Sequence, residues 1–200
     1  MKKTTLLLVA LSMLAAGSLQ ASAAPTPKPQ IEDPLGDANF VNDQGTGDGS
    51  VGDQAPGADA GNASDLNLVT FSNDAKNLYI LFQNEQSPPA TQGLGLRVRV
   101  NGNPGSQCLN FEVFYPGATN NLTETEAQLR DSCTGETIAI EAVGTTLTIP
   151  RSAHEALGKG KTLTAPQAQS FVYTGTSQPA GASGPYIDTT KVGADYKLKK

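Results

Sequence analysis

Leu66 to Asn84 reads LNLVTFSNDAKNLYILFQN. Two runs rich in β-forming residues, 66–72 and 78–84, flank the turn formers Asn73-Asp74-Ala75-Lys76-Asn77, and this spacing predicts an antiparallel hairpin. The same pattern continues downstream. In 94–100, Leu96, Val98 and Val100 alternate with Arg97 and Arg99, so aliphatic and charged residues take opposite faces of a strand. Asn101-Gly102-Asn103-Pro104-Gly105 punctuates it. A strand at 108–115 follows, with Leu109, Phe111, Val113 and Tyr115 on one face. Glu136 to Val143 (ETIAIEAV) reads as a further strand, leading through Gly144 into a hairpin partner at 145–149. The segments 171–174 and 195–198 are the last strand candidates.

Helix is scarce: one or two turns at 152–157 (SAHEAL) after Pro150, and a short helix within 123–130. Short strands separated by Gly and Pro, with no helices alternating between them, imply an all-β protein. The expected architecture is an antiparallel two-sheet β-sandwich, jelly-roll or immunoglobulin-like in general shape, with one disulfide and little helix.

The amino-terminal part reads as an export signal. Lys2 and Lys3 precede an apolar run from Leu6 to Ala16, and Ala21-Ser22-Ala23 supplies a small-x-small cleavage pattern. Residues 1–23 are therefore expected to be a signal peptide, 24–30 (APTPKPQ) a Pro-rich flexible leader and 31–200 a single domain. The expected location is outside the cytoplasm, extracellular or periplasmic. Downstream of the signal no apolar stretch has the length of a membrane span. The mature chain holds twelve basic and nineteen acidic residues, a net charge of −7. An acidic chain, expected to carry no basic patch, argues against nucleic acid and against anionic membrane surfaces as partners. In an oxidising compartment the only two cysteines, Cys108 and Cys133, are expected to form a disulfide.

Between Ile31 and Ala75 lie nine acidic residues and no Lys or Arg. Within that stretch 42–62 is dominated by Gly, Asp, Ala and Asn without apolar periodicity, and reads as a long loop. Asp33, Asp37 and Asp65, with Asp188 near the end of the chain, offer oxygen ligands of the type Ca²⁺ takes. A structural Ca²⁺ is one reading of them, and turns capped by aspartate side chains the other.

Asp33-Pro34-Leu35-Gly36-Asp37, then Asp65-Leu66-Asn67-Leu68-Val69-Thr70-Phe71, then Asn77-Leu78-Tyr79-Ile80-Leu81-Phe82 occur in an order that resembles the start of DOMON-like β-sandwiches related to family 9 carbohydrate-binding modules. Thr148-Ile149-Pro150-Arg151-Ser152 resembles a later strand-to-loop element of the same group. Asp188-Thr189-Thr190 with Ala194-Asp195-Tyr196 resembles the ending of many secreted actinobacterial proteins of unassigned function. The resemblance implies a sandwich fold and a non-catalytic binding role, with polysaccharide or glycan as the ligand class and the cell envelope as the place. This chain has no Trp for stacking on sugar rings. A structural or protein-interaction module, meeting an envelope or extracellular protein rather than a sugar, is therefore the alternative. Some DOMON relatives bind haem. Here the single His154, with Met1 and Met13 both inside the signal, leaves no pair of axial ligands.

A sugar-binding module would present exposed tyrosines, with Tyr115, Tyr173 and Tyr186 as candidates, whereas an interaction module would expose a contiguous apolar patch. The chain reads as non-enzymatic. Ser152, His154 and Glu155 lie too close in sequence to converge as a triad, and no nucleophile elbow is present. His154 is expected at the surface. Glu112, Glu136 and Glu141 are expected as exposed strand-face charges, and Arg97 and Arg99 as residues that keep their face soluble or meet an anionic ligand. Asn62-Ala63-Ser64 and Asn121-Leu122-Thr123 fit the glycosylation sequon.

Overall fold

The hairpin over residues 66–84 organises one sheet. The computed structural model describes residues 27–33, 66–84, 93–101, 108–117, 120–172 and 186–199. Strands β2 (Leu66–Asn73) and β3 (Asn77–Asn84) pair antiparallel, and the short β1 (Ile31–Glu32) lies against β2. A register shift between Leu66 and Leu68 resets the inward parity of β2, so Leu66, Val69 and Phe71 are all buried despite their uneven spacing. The turn is built by Asp74. Its Oδ1 accepts the Lys76 and Asn77 N–H groups at 2.7 Å each, and its Oδ2 accepts the Tyr79 hydroxyl at 2.8 Å.

The second sheet is built around β4 (Leu94–Val100), β5 (Leu109–Phe114) and β6 (Glu126–Asp131), paired in that order. The short helix expected within 123–130 is therefore a strand. Glu126 to Asp131 pairs residue for residue with β5 and buries Leu129, so tertiary pairing overrides the helical propensity of Glu, Ala, Gln and Leu.

The single strand expected at 136–143 is two, β7 (Thr137–Ala139) and β8 (Glu141–Val143). Strand β7 pairs with β6, whereas β8 pairs with β9 (Thr146–Pro150), which itself pairs with β3. The chain thus changes sheets at Ile140 and closes one side of the sandwich. Strands β8 and β9 meet through a two-residue turn whose first residue, Gly144, has φ 58°, a conformation that favours glycine. After two short 3₁₀ turns (Arg151–Ala153 and Glu155–Leu157) come β10 (Thr162–Leu163), β11 (Gln167–Val172), β12 (Tyr186–Thr189) and β13 (Tyr196–Lys197).

The result is a five-stranded sheet, β1-β2-β3-β9-β8, packed on a six-stranded sheet, β12-β11-β4-β5-β6-β7, with a small β10-β13 ribbon at one end. All pairings are antiparallel, and the chain is an all-β, two-sheet protein. Phe71, Ile80, Phe82, Leu96, Val98, Phe111, Leu129, Leu147 and Ile149 share one buried core between the sheets. Tyr115, offered above as an exposed platform, is buried. Its hydroxyl donates to the Gly144 carbonyl at 3.0 Å, and burial pushes the phenol pKa up.

Arg151 ties the end of the sandwich that carries the ribbon. Buried after β9, it donates to the carbonyls of Leu157 (3.0 Å), Asp74 (2.8 Å) and Lys199 (3.0 Å), joining the 3₁₀ turns, the β2–β3 turn and the carboxyl-terminal segment. Gln30, at the end of the segment read as a flexible leader, is held by β2 and by Ala194. Its N–H donates to Val69 O at 2.9 Å, and its own carbonyl accepts from Ala194 N at 2.8 Å.

The Cys108–Cys133 disulfide is present, with a Cα–Cα distance of 5.3 Å, and joins the start of β5 to the turn after β6. Its loop spans a sequence separation of 25. Replacing both cysteines by serine should lower unfolding free energy by about 3 kcal/mol, read by denaturant melts of oxidised wild type and variant. Acid provides a second check. The Asp74 carboxyl is held below its ordinary pKa by the Asn77 and Lys76 N–H groups and the Tyr79 hydroxyl. The stability it contributes is present above the unfolded-state pKa near 3.8 and is lost as pH falls through the lower folded value. Asp74→Asn should accordingly show a shallower loss of stability below pH ~4 than wild type.

Candidate functional site

The two outer faces of the sandwich differ. On the five-stranded sheet, Thr70, Ser72, Tyr79, Thr146 and Thr148 are half-buried and Gln83 is exposed, an ordinary solvent face. The outer face of the six-stranded sheet is polar but closed. Glu112 is 2% exposed and Arg97 5%, with Asn110, Gln167 and Gln169 similarly buried.

Strand register arranges these residues in rows across the sheet. Gln169, Arg97, Glu112 and Gln128 form one row over β11, β4, β5 and β6. Gln167, Arg99, Asn110, Arg130 and Thr137 form the next, reaching β7. Phe171, Gly95, Phe114 and Glu126 form a third. Three of the chain's four arginines stand on this face of an acidic protein.

The Glu112 carboxylate is the hub. Arg130 Nη2 donates to its Oε1 at 3.0 Å, Gln128 Nε2 to its Oε2 at 2.6 Å, and Arg97 Nη1 lies 3.6 Å from Oε1. Arg97 Nε and Nη2 also donate to Gln169 Oε1, at 3.1 and 2.6 Å. The Arg97 guanidinium lies 5.3 Å from the Phe171 ring centroid, and Phe171 meets Phe114 edge-on. Gly95 makes this possible, because a Cβ there would collide with the Phe171 ring. Planar guanidinium, carboxamide and carboxylate groups beside an aromatic edge can make directed, paired hydrogen bonds to a polyhydroxylated or anionic ligand. At the margin Arg99, Gln128 and Arg130 are half-buried, and Glu126 is exposed.

Two expectations are corrected by this arrangement. Arg97 is not a solubilising side chain, and Glu112 is not an exposed strand-face charge. Each is withdrawn from water and held by charged and amide groups on neighbouring strands. Glu136 and Glu141 are exposed as expected. Gln128 and Arg130 lie in a segment whose composition reads as helix, and Gln167 and Gln169 precede the segment that reads as a strand, so local sequence does not mark these four. Strand alternation carried forward from β5 would have placed the first pair beside Glu112.

His154 is half-buried rather than at the surface. Its Nδ1 accepts from Ala156 N at 3.1 Å, and its Nε2 lies 3.4 Å from Asp131 Oδ2. Ser152 and Glu155 are exposed, so the imidazole is directed to the Asp131 turn rather than to a triad. Burial pushes the Asp131 carboxyl up, but hydrogen bonds from Cys133, Thr134 and His154 outweigh it and hold the pKa below the ordinary value.

Of the four aspartates read as Ca²⁺ ligands, Asp33 follows β1, with its N–H on Asn67 O, and Asp188 pairs with Ser170 in β12. Asp37 and Asp65 lie outside the described residues, as do the 42–62 loop, the signal segment, Tyr173 and the Asn62 sequon. Among the described residues, the group of potential metal ligands in closest register is Cys108, Asp131 and Cys133. Its two sulfurs are consumed by the disulfide. Asn121 and Thr123 of the second sequon are exposed. Among the described residues no helix is long and apolar enough to cross a membrane, and the exposed large hydrophobics are Val143 and Val192, on separate elements.

Comparison with protein-family models, curated proteins and solved structures finds no match for this chain.

Glu112→Gln keeps the shape of the hub but removes its charge, leaving Arg97 and Arg130 on the face without their carboxylate. Loss of one partner of a buried ion pair predicts a destabilisation of about 3 kcal/mol, measured as a shift in denaturant midpoint with unchanged slope. An unaltered midpoint would mean that the charge contributes nothing to the fold.

Proposed function

We propose that the chain is a secreted, non-catalytic binding module whose ligand is a polysaccharide or glycan, contacted by the outer face of the six-stranded sheet. One observation carries this reading: the face that a sandwich of this kind would ordinarily give to water is instead filled with mutually bonded Arg, Glu, Gln and Asn side chains. Withdrawing charge from water is costly, and proteins accept such local costs chiefly where a site demands them. In this reading Glu112, Arg97 and Gln169 form a preorganised floor, while Arg99, Gln128 and Arg130 at the margin meet the sugar. The floor holds the margin side chains in fixed rotamers, which lowers the ordering cost of binding.

The second reading, a structural or protein-interaction domain, is favoured by the depth of the same burial, since a closed polar layer also specifies how strands pair. The two separate in one experiment. The mature chain, residues 24–200, is incubated with a panel of insoluble polysaccharides, with Ca²⁺ and again with EDTA. Retention on one polymer, reduced about tenfold or more in Gln128→Ala/Arg130→Ala by loss of charge-assisted hydrogen bonds, supports the glycan reading. Retention lost in EDTA supports a Ca²⁺ requirement. Absence of retention on every polymer overturns the glycan reading in favour of the second.

A further inference from the structure

The sequence of this acidic protein contains no basic run until its last residues, yet folding assembles one. The β10-β13 ribbon pairs Thr162 with Lys197, and the pairing continues outward, Leu198 N donating to Lys161 O at 2.9 Å and Gly160 N to Leu198 O at 3.2 Å. Lys197 and Lys199 take the outward face with Thr162, while Lys161, opposite Leu198, and Lys159 follow at the end of the same ribbon. Lys199 is clasped at its backbone, its N–H on Asn73 Oδ1 and its carbonyl on Arg151 Nη1. Arg151 N in turn donates to Lys76 O at 2.8 Å, which brings a fifth lysine to the same end of the sandwich. All five side chains are exposed, whereas Leu163 and Leu198 anchor the ribbon in the core. The lysines come from three separated segments but share one rigid scaffold.

The acidic groups near this end, Asp74, Asp195 and Glu155, are outnumbered by the five lysines, and Asp74 acts on Lys76 alone among them through its charge. The Asp74 carboxylate is occupied by its own turn and the Tyr79 hydroxyl, Asp195 accepts from Ala165 N, and Glu155 stands at the margin. Residues 31–75 carry nine acidic and no basic residues, whereas 159–200 carry six lysines and two aspartates, so the charge of the chain is strongly segregated.

We propose that this lysine end is a second binding surface, for a polyanionic polymer bearing closely repeated phosphate or carboxylate groups. Lys197 and Lys199 stand two residues apart on one face, roughly 6.6 Å along the strand axis. A polymer with a negative charge on every repeat can meet several of these exposed ammonium groups at once, and each bound lysine releases a counterion. An anionic bilayer is the less suitable occupant. Interfacial membrane binding draws on apolar side chains beside the cations, and none of the large ones exposed among the described residues lies on the ribbon. Export, as read from the signal segment, would place the surface where envelope polymers carry such charges. The inference is independent of the sheet-face reading, since the two surfaces share no residue.

The test uses polyphosphate and polygalacturonate as soluble probes, with dextran as the neutral control and phosphatidylglycerol vesicles as the lipid arm. Binding is followed by isothermal titration at low and high ionic strength. The expected result is binding of one or both anionic polymers, loss of that binding at high salt, and none to dextran. Lys197→Glu/Lys199→Glu and Lys159→Glu/Lys161→Glu should each weaken it by about tenfold or more. Circular dichroism and the thermal midpoint establish that each variant is folded, and Lys191→Glu, a single reversal outside the ribbon, serves as a control expected to bind nearly as wild type. Which polymer binds distinguishes phosphate from carboxylate recognition. Gln128→Ala/Arg130→Ala should retain polyanion binding, and the lysine reversals should retain any binding to a neutral polysaccharide, so failure of one surface is distinguishable from failure of the other. The proposal is overturned by absence of binding to both polymers, by binding that survives the reversals, or by binding confined to vesicles.

Discussion

Strands β4 and β5 lie at the middle of the six-stranded sheet and are buried on both faces. Everything else in the six-stranded sheet answers to that constraint. A side chain on either strand points to one of two places, and neither is bulk water. Toward the other sheet the answer is aliphatic and aromatic: Leu96, Val98, Val100, Leu109, Phe111 and Val113. Away from it, apart from Gly95 and Phe114, the side chains are polar, so they must satisfy one another, and the strands on either side supply the partners. Gln169 comes from β11, and Gln128 and Arg130 from β6. Register therefore matters doubly, because a slip of one residue would exchange Glu112 with Phe111 and put a carboxylate into the hydrocarbon core.

The same constraint explains the small residue in the third row. With Phe171 turned over the sheet, its ring needs the space above β4, and Gly95 provides it. The ring then offers one surface to the Arg97 guanidinium and an edge contact to Phe114. Leu122, on the β5–β6 connection, packs on the same aromatic pair. The polar rows are thus bounded along one side by hydrocarbon, and their low-dielectric setting strengthens each hydrogen bond within them.

Two surfaces of opposite construction result. The sheet face is arginine-rich, interlocked and largely closed. The ribbon end is lysine-rich, open and held through its backbone by Arg151 and Asn73. The difference follows the chemistry of the two cations. Guanidinium forks suit buried, bidentate pairing, and ammonium groups on long stems suit a hydrated surface. A module with both would orient one polymer against another, or bind one polymer through two kinds of group.

Local order along the chain was enough to expect strands at 66–72, 78–84, 94–100 and 108–115, each within a residue of the bounds observed at either end, because alternation over a turn-bounded run has one simple structural solution. The two cysteines, in a chain read as exported, were enough to expect the disulfide. Other features depended on partners remote in sequence. Residues 126–131 carry helix-forming composition and become a strand because β5 offers a ladder. Residues 136–143 look like one strand and divide between two sheets because Ile140 sits where the sandwich turns its corner. Arg97 and Glu112 alternate as outward charges in the sequence, which is correct for direction and silent on depth. Direction is a property of the pleat, which each strand carries by itself. Depth, the counter-charges from β6 and the gathering of Lys76, Lys159, Lys161, Lys197 and Lys199 are properties of packing, and only the tertiary structure decides them.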